Sequence, residues 1–335
     1  MQSLAIKYRP KTFDEVVEQS ATKVILQHQL KFGEIKNAYL FCGGAGTGKT
    51  TCARIFANEI NAGKGTPIEL DAASNNSVDD VREIIEQSKT ASLDSEYKVF
   101  IMDEVHALSN NAWQAMLKIL EEPPKKSIFI MCTTDPQKIP KTILSRVQRY
   151  DFQRISHQAI VDRLCYVLTL EAKENRAIEA GVGAIDYIAK QAQGGMRDAL
   201  TMLDKCLAFS SELTIDNITQ ALGIANYECM ANLLKAYDDK NLTEKMGIIN
   251  DVYMEGLDLK QFIKNFTSFV LDLNKYILNA EAYIDCPMTE DIKSVFNNFN
   301  SDAIELLSSL VKLQADIKWD TNPKARIEAW CITGG

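Results

Sequence analysis

Gly43-Gly44-Ala45-Gly46-Thr47-Gly48-Lys49-Thr50 fits the pattern G-x-x-x-x-G-K-[ST]. The apolar run Ala38-Tyr39-Leu40-Phe41-Cys42 comes before it and reads as a buried strand. Thr50 to Asn61 comes after it with helical spacing. A strand, a glycine loop and a helix are the context this pattern needs. The glycines let successive backbone N–H groups turn toward a phosphate chain. The helix that follows adds the partial positive charge of its N-terminus. In such a loop Lys49 reaches the β- and γ-phosphates of a nucleotide, and the Thr50 hydroxyl holds Mg²⁺.

Further strands flank this centre. Ile68-Glu69-Leu70, Val99-Phe100-Ile101-Met102 and Ser127-Ile128-Phe129-Ile130-Met131-Cys132 are apolar runs. Val78 to Ser88 and Asn111 to Glu121 read as helices between them, the second stopped by Pro123-Pro124. Apolar strands alternating with helices predict a parallel sheet covered on both faces. The third strand runs into Asp103-Glu104. Two carboxylates at the C-terminal edge of a sheet suit a metal shell (Asp103) and a group that polarises an attacking water (Glu104).

Two weaker signals follow. Cys132-Thr133-Thr134-Asp135 ends the next strand, where a polar residue could sense a terminal phosphate, and Arg146 stands shortly after it. Arg197, in Gly194-Gly195-Met196-Arg197-Asp198, opens a helix. On spacing alone both arginines read first as solvated surface groups.

From about His157 the β signal fades. Amphipathic helices are predicted to the end of the chain, among them Leu259–Asn279 and Asp302–Asp316. Residues 1–155 carry 20 Lys+Arg against 19 Asp+Glu, and the rest carries 17 against 26. The acidic second half is therefore a poor general nucleic-acid binder. Eight cysteines and three histidines show no CxxC pair or other metal-ligand spacing. No apolar run has the length of a membrane span and the N-terminus lacks a signal-peptide core. The expectation is a cytoplasmic protein with no membrane partner.

With these motifs in order, the chain resembles the gamma/tau subunits of the bacterial DNA polymerase III clamp loader. Further stretches carry the likeness: Tyr8-Arg9-Pro10, Asp71-Ala72-Ala73-Ser74-Asn75-Asn76, Asp103-Glu104-Val105-His106, Leu120-Glu121-Glu122-Pro123-Pro124, Ile143-Leu144-Ser145-Arg146 and Gly195-Met196-Arg197-Asp198. The resemblance implies an AAA+ α/β nucleotide-binding domain over 1–156, a helical lid over 157–208 and an all-α collar over 209–335 that holds subunits together.

It also implies site roles. ATP and Mg²⁺ are the expected cofactors. Gly43 to Thr51 belong to the phosphate loop, with Thr50 and Asp103 on Mg²⁺. Tyr8, Arg9 and Pro10 pack near the adenine. Thr134 is implied as the phosphate sensor and Arg197 as a second sensor from the lid. Arg146 is implied as a finger reaching a neighbouring subunit's nucleotide, and Arg82 as a DNA phosphate contact. The implied partners are delta and delta-prime subunits, a sliding clamp, primer-template DNA and copies of the chain in a five-subunit spiral. The implied function is ATP-dependent clamp loading during replication. The alternatives are a branch-migration type AAA+ ATPase or a non-hydrolysing structural subunit.

Two departures stand out. Family members carry a four-cysteine zinc module after the loop's helix, whereas residues 57–67 contain no cysteine, so no zinc is expected. Val147 stands where the family has cysteine after Ser-Arg.

Overall fold

Residues 38–43 (β1), 98–103 (β3) and 127–133 (β4) are almost wholly buried strands of the computed structural model, which describes residues 2–92, 94–174, 178–223, 227–286 and 288–333. With Ile68–Asp71 (β2) and Gln148–Phe152 (β5) they form a parallel sheet of order β2-β3-β4-β1-β5. Side chains alternate across a strand, so each strand feeds two cores. Leu40, Phe100, Met102, Phe129 and Met131 pack against Val78–Ser88 (call the helices in chain order: Leu4–Lys7 is α1, Ser20–Phe32 α2, Lys49–Ile60 α3, Val78–Ser88 α4) and Asn110–Glu121 (α5). Tyr39, Phe41, Val99, Ile101, Ile128 and Ile130 face the other way, toward Leu26 of α2 and Cys52 and Phe56 of α3. This two-sided burial is why the strands read as unbroken apolar runs.

Contacts divide the chain into two units, Met1–Ile178 with Ile185–Asp204, and Glu179–Ala184 with Lys205–Gly335. The first holds the sheet, Lys141–Leu144 (α6), His157–Lys173 (α7), nearly all of Ala184–Gln191 (α8) and the start of Met196–Phe209 (α9). The contacts therefore draw no division at residue 156. In the second unit, Glu179–Ala180 (β6) pairs in parallel with Glu212–Leu213 (β7). The second half is otherwise helical as expected, and this short pair goes unread because two-residue strands carry no periodicity.

The second unit also holds the end of α9, a 3-10 turn at Glu281–Tyr283 and the helices Ile215–Leu222 (α10), Tyr227–Asp238 (α11), Leu242–Met254 (α12), Leu259–Ile277 (α13), Glu290–Asn298 (α14), Ala303–Ile317 (α15) and Pro323–Thr333 (α16). The Asp258 side chain caps α13 by accepting from the Lys260 and Gln261 amides. Phe262, Phe266, Phe269 and Leu273 of α13 pack with Leu306, Leu310 and Leu313 of α15 in one core.

The cysteines are all free thiols. Cys42, Cys52, Cys132, Cys206, Cys286 and Cys331 are buried, Cys229 is half-buried, and Cys165 on α7 is exposed. Burial pushes the Cys52 and Cys286 thiols up to about 12.

Candidate nucleotide-binding site

The loop 43–50 leaves β1 and enters α3. Packing requires glycine at two of its positions. A Cβ on Gly43 would stand 2.4 Å from the Phe152 carbonyl oxygen. Gly46 has φ +69°, and a Cβ there would stand 3.1 Å from Gly195 Cα. The Met196 amide, at the start of α9, donates to the Gly46 carbonyl at 3.0 Å.

Lys49 is buried, and its Nζ donates to the carbonyls of Gly43 (2.9 Å) and Gly44 (2.8 Å). Burial lowers its pKa, against the opposing pull of nearby groups that include Glu104 and Asp103. A phosphate chain beside it would favour the charged ammonium. Thr50 Oγ1 donates to Asp103 Oδ2 at 2.7 Å. Two hard oxygen ligands side by side fit Mg²⁺, which takes one or two protein oxygens and completes its octahedron with phosphate oxygens and water. Among the described residues no three His, Cys, Asp or Glu side chains converge on a metal site.

Glu104 follows Asp103 with left-handed backbone, φ +49°. Its Oε2 accepts from Thr134 N at 3.2 Å and Thr134 Oγ1 at 2.8 Å, and His106 Nδ1 lies 3.2 Å away. Residues thirty positions apart meet because β3 and β4 are neighbours in register. The sheet thus brings Lys49, Thr50, Asp103, Glu104 and Thr134 to one edge.

A cavity of about 320 Å³ adjoins the loop. Tyr8, Arg9, Pro10, residues Gly46 to Thr51, Asp103 and Arg197 line it. The Tyr8 segment is tied down: its hydroxyl donates to Glu171 Oε1 at 2.8 Å, Lys7 pairs with the same oxygen at 2.7 Å, and Arg163 Nη2 donates to the Tyr8 carbonyl at 3.0 Å. Among the described residues, five cations, Arg9, Lys49, Arg54, Arg163 and Arg197, line the cavity against the single carboxylate of Asp103. Burial, then the Arg54 and Arg197 charges, pulls the Arg9 pKa down. Arg54 pairs with Glu69, yet its Nε is buried with no hydrogen-bond partner among the described residues. An anionic ligand would relieve the crowded charge.

Two expected site residues lie outside this cluster. Arg146 does not line the cavity. Its Nη2 pairs with Glu121 at 2.7 Å and its Nη1 donates to the Thr142 carbonyl at 2.6 Å. Arg82 is exposed on α4 and pairs with Asp79 at 2.9 Å, next to Asp80 and Glu83. Sequence reading missed roles for Arg54, Arg163, Glu171 and His106. Arg54 is legible in principle, since it lies four positions beyond Thr50 on the same helix. The others meet the site only through the tertiary fold.

Residues 66–156 match the family described as DNA polymerase III, delta subunit, and residues 159–212 match the DNA polymerase III clamp loader subunit, ATPase lid domain. The chain is 36% identical to DNA polymerase III subunit tau of Bacillus subtilis over 98% of its own length and 62% of that protein's. It is 34% identical to the tau subunit of Escherichia coli over 77% of its length, spanning 43% of that protein. It is 31% identical to the gamma subunit of Buchnera aphidicola, with 82% of this chain and 80% of that protein aligned. Among solved structures, the Thermotoga maritima RuvB Holliday junction branch migration motor is similar, with a TM-score of 0.53 and 18% identity over 89% of this chain and 87% of that one. At that identity the likeness is one of fold, the AAA+ type.

Proposed function

Because the chain belongs to the family of DNA polymerase III gamma/tau clamp-loader subunits, we propose that it is an ATP-hydrolysing motor subunit that opens a sliding clamp and loads it on primer-template DNA. The observation that carries this reading is the meeting of Lys49, Thr50, Asp103 and Glu104 around a glycine loop at one sheet edge. Lys49 and the loop amides grip the β- and γ-phosphates. Thr50 and Asp103 would hold Mg²⁺, whose positive charge would offset that of the phosphates. Glu104 exchanges its Thr134 contacts for the attacking water and takes its proton. Arg197 meets the γ-phosphate from the lid, and Tyr8, Arg9 and Pro10 enclose the base.

Arg146 acts on the nucleotide of an adjoining subunit. The γ-phosphate is then the contact that differs between two arrangements of the assembly. With it present, delta, delta-prime and copies of this chain close into a five-subunit spiral around DNA. With it gone, the interfaces loosen and the clamp shuts. Residues 209–335 serve as the collar. Leu271 and Ile277 of α13, with Ile304 and Val311 of α15, are exposed apolar side chains that a neighbouring collar would cover. Arg82 contributes one phosphate contact to DNA. The setting is the cytoplasmic replisome. Among the described residues no helix is long and apolar enough to cross a membrane.

Lys49→Ala should abolish Mg-ATP binding and ATP-dependent clamp loading together. Near-normal loading by that variant would refute the proposal. A second reading, a structural subunit that does not hydrolyse ATP, draws on the delta-subunit match over residues 66–156. It predicts no ATPase stimulation by clamp and primed DNA, and the complete phosphate loop speaks against it.

A further inference from the structure

Glu18 and Gln19 both hold left-handed backbone, with φ of +55° and +52°. Neither is glycine, so the surroundings must hold each of them in place. Gln19 is 8% exposed, and among the described residues its side-chain amide bonds only to backbone. Nε2 donates to the Gln153 carbonyl at 2.7 Å and reaches the Thr47 carbonyl at 3.4 Å. Oε1 accepts from the Gln153 amide at 3.1 Å. Glu18 accepts from the Ser156 amide at 3.0 Å and from its hydroxyl at 2.5 Å. Gln153 follows β5, and Ser156 caps α7.

One corner of two residues thus joins the tip of the phosphate loop to the root of the lid. The linkage continues from there. The Ile155 amide donates to the Gly194 carbonyl at 3.1 Å, and Gly194-Gly195 lead into α9, which carries Arg197 to the cavity. Gln19 itself does not line the cavity.

We propose that Gln19 and Glu18 are positioning residues that fix where Arg197 stands relative to the phosphate loop, and thereby set the preference for a nucleoside triphosphate over a diphosphate. The inference rests on the reading that this cavity binds a nucleotide. Lys49 and the loop amides hold the β-phosphate whether or not the corner is intact. The Arg197 contact with a γ-phosphate depends on the lid root staying in register with the loop. Loosening the corner therefore weakens triphosphate binding selectively.

Calorimetry of the full chain with Mg-ATP and Mg-ADP tests this. The wild-type titration addresses the nucleotide reading alone: no uptake of either refutes that reading, whatever the variants do. With uptake established, Gln19→Ala should lower the ATP-to-ADP affinity ratio about tenfold, the scale of one hydrogen bond to a charged group. Gln19→Glu keeps the acceptor but loses both donated bonds, and should behave alike. Glu18→Gly keeps the left-handed turn and deletes the Ser156 bonds. It should lower the ratio by a smaller factor with the melting temperature held, which guards against a Gln19 variant that fails to fold. An unchanged ratio, an equal loss for both nucleotides, or a wild-type ratio near one overturns the proposal.

Discussion

Lys49 and Arg146 are both cations expected to meet a γ-phosphate, and they stand in opposite surroundings. Lys49 is buried, bonded to two carbonyls of its own loop, and shares its sheet edge with the Thr50–Asp103 pair. Arg146 is a third exposed at its side chain and leans on Glu121, itself nearly half exposed. The buried set is complete within one chain. The outer pair is the kind of exposed contact worth only about 0–1 kcal/mol, so on the proposed reading a phosphate brought by another subunit would displace Glu121 at little cost. In that reading the group that grips a ligand is held by the core, and the group that would change partners is left on a weak one.

Four substitutions press on this contrast. Arg146→Ala should cut hydrolysis in the assembled complex by roughly 10³–10⁵, the range for arginine fingers, and leave Mg-ATP affinity of the isolated chain unchanged. A loss of affinity in the isolated chain would place Arg146 in its own site and erase the distinction. Glu104→Gln should slow hydrolysis by about 10²–10⁴ with nucleotide affinity preserved, as read by single-turnover assays beside binding titrations. Gly43→Ala sets a methyl against the Phe152 carbonyl. A destabilisation of about 1–3 kcal/mol is expected, measured by denaturant unfolding. Glu121→Gln keeps an acceptor for Arg146 but removes its charge, and should shift stability by no more than about 1 kcal/mol. A larger loss would mean the outer pair is structural rather than exchangeable.

The first unit was legible because its strands are buried on both faces and its loop chemistry is local. β5 escaped notice: in Gln148–Phe152 only Tyr150 and Phe152 are buried, and Arg149 and Asp151 are exposed as on an edge strand. The phosphate loop, Asp103 and Glu104 could be named from spacing. The roles proposed for Thr134, Arg146 and Arg197 came only from the family likeness. Gln19 belonged to no pattern, since its partners lie 28 and 134 residues away and its own left-handed backbone leaves no trace in residue type. The second unit gave its helices through periodicity, with ends displaced by one or two residues. Its short β6–β7 pair was invisible for the reason already given.

The uneven burial of the cysteines has a practical side. Thiol reagents attack the thiolate, and burial keeps six of the eight sulfurs protonated and out of reach, with Cys229 partly shielded. Cys165 alone stands in the open, on the first helix of the lid. A maleimide dye should therefore label the unmutated polypeptide mainly at one place, and its fluorescence would follow the lid as nucleotide is added.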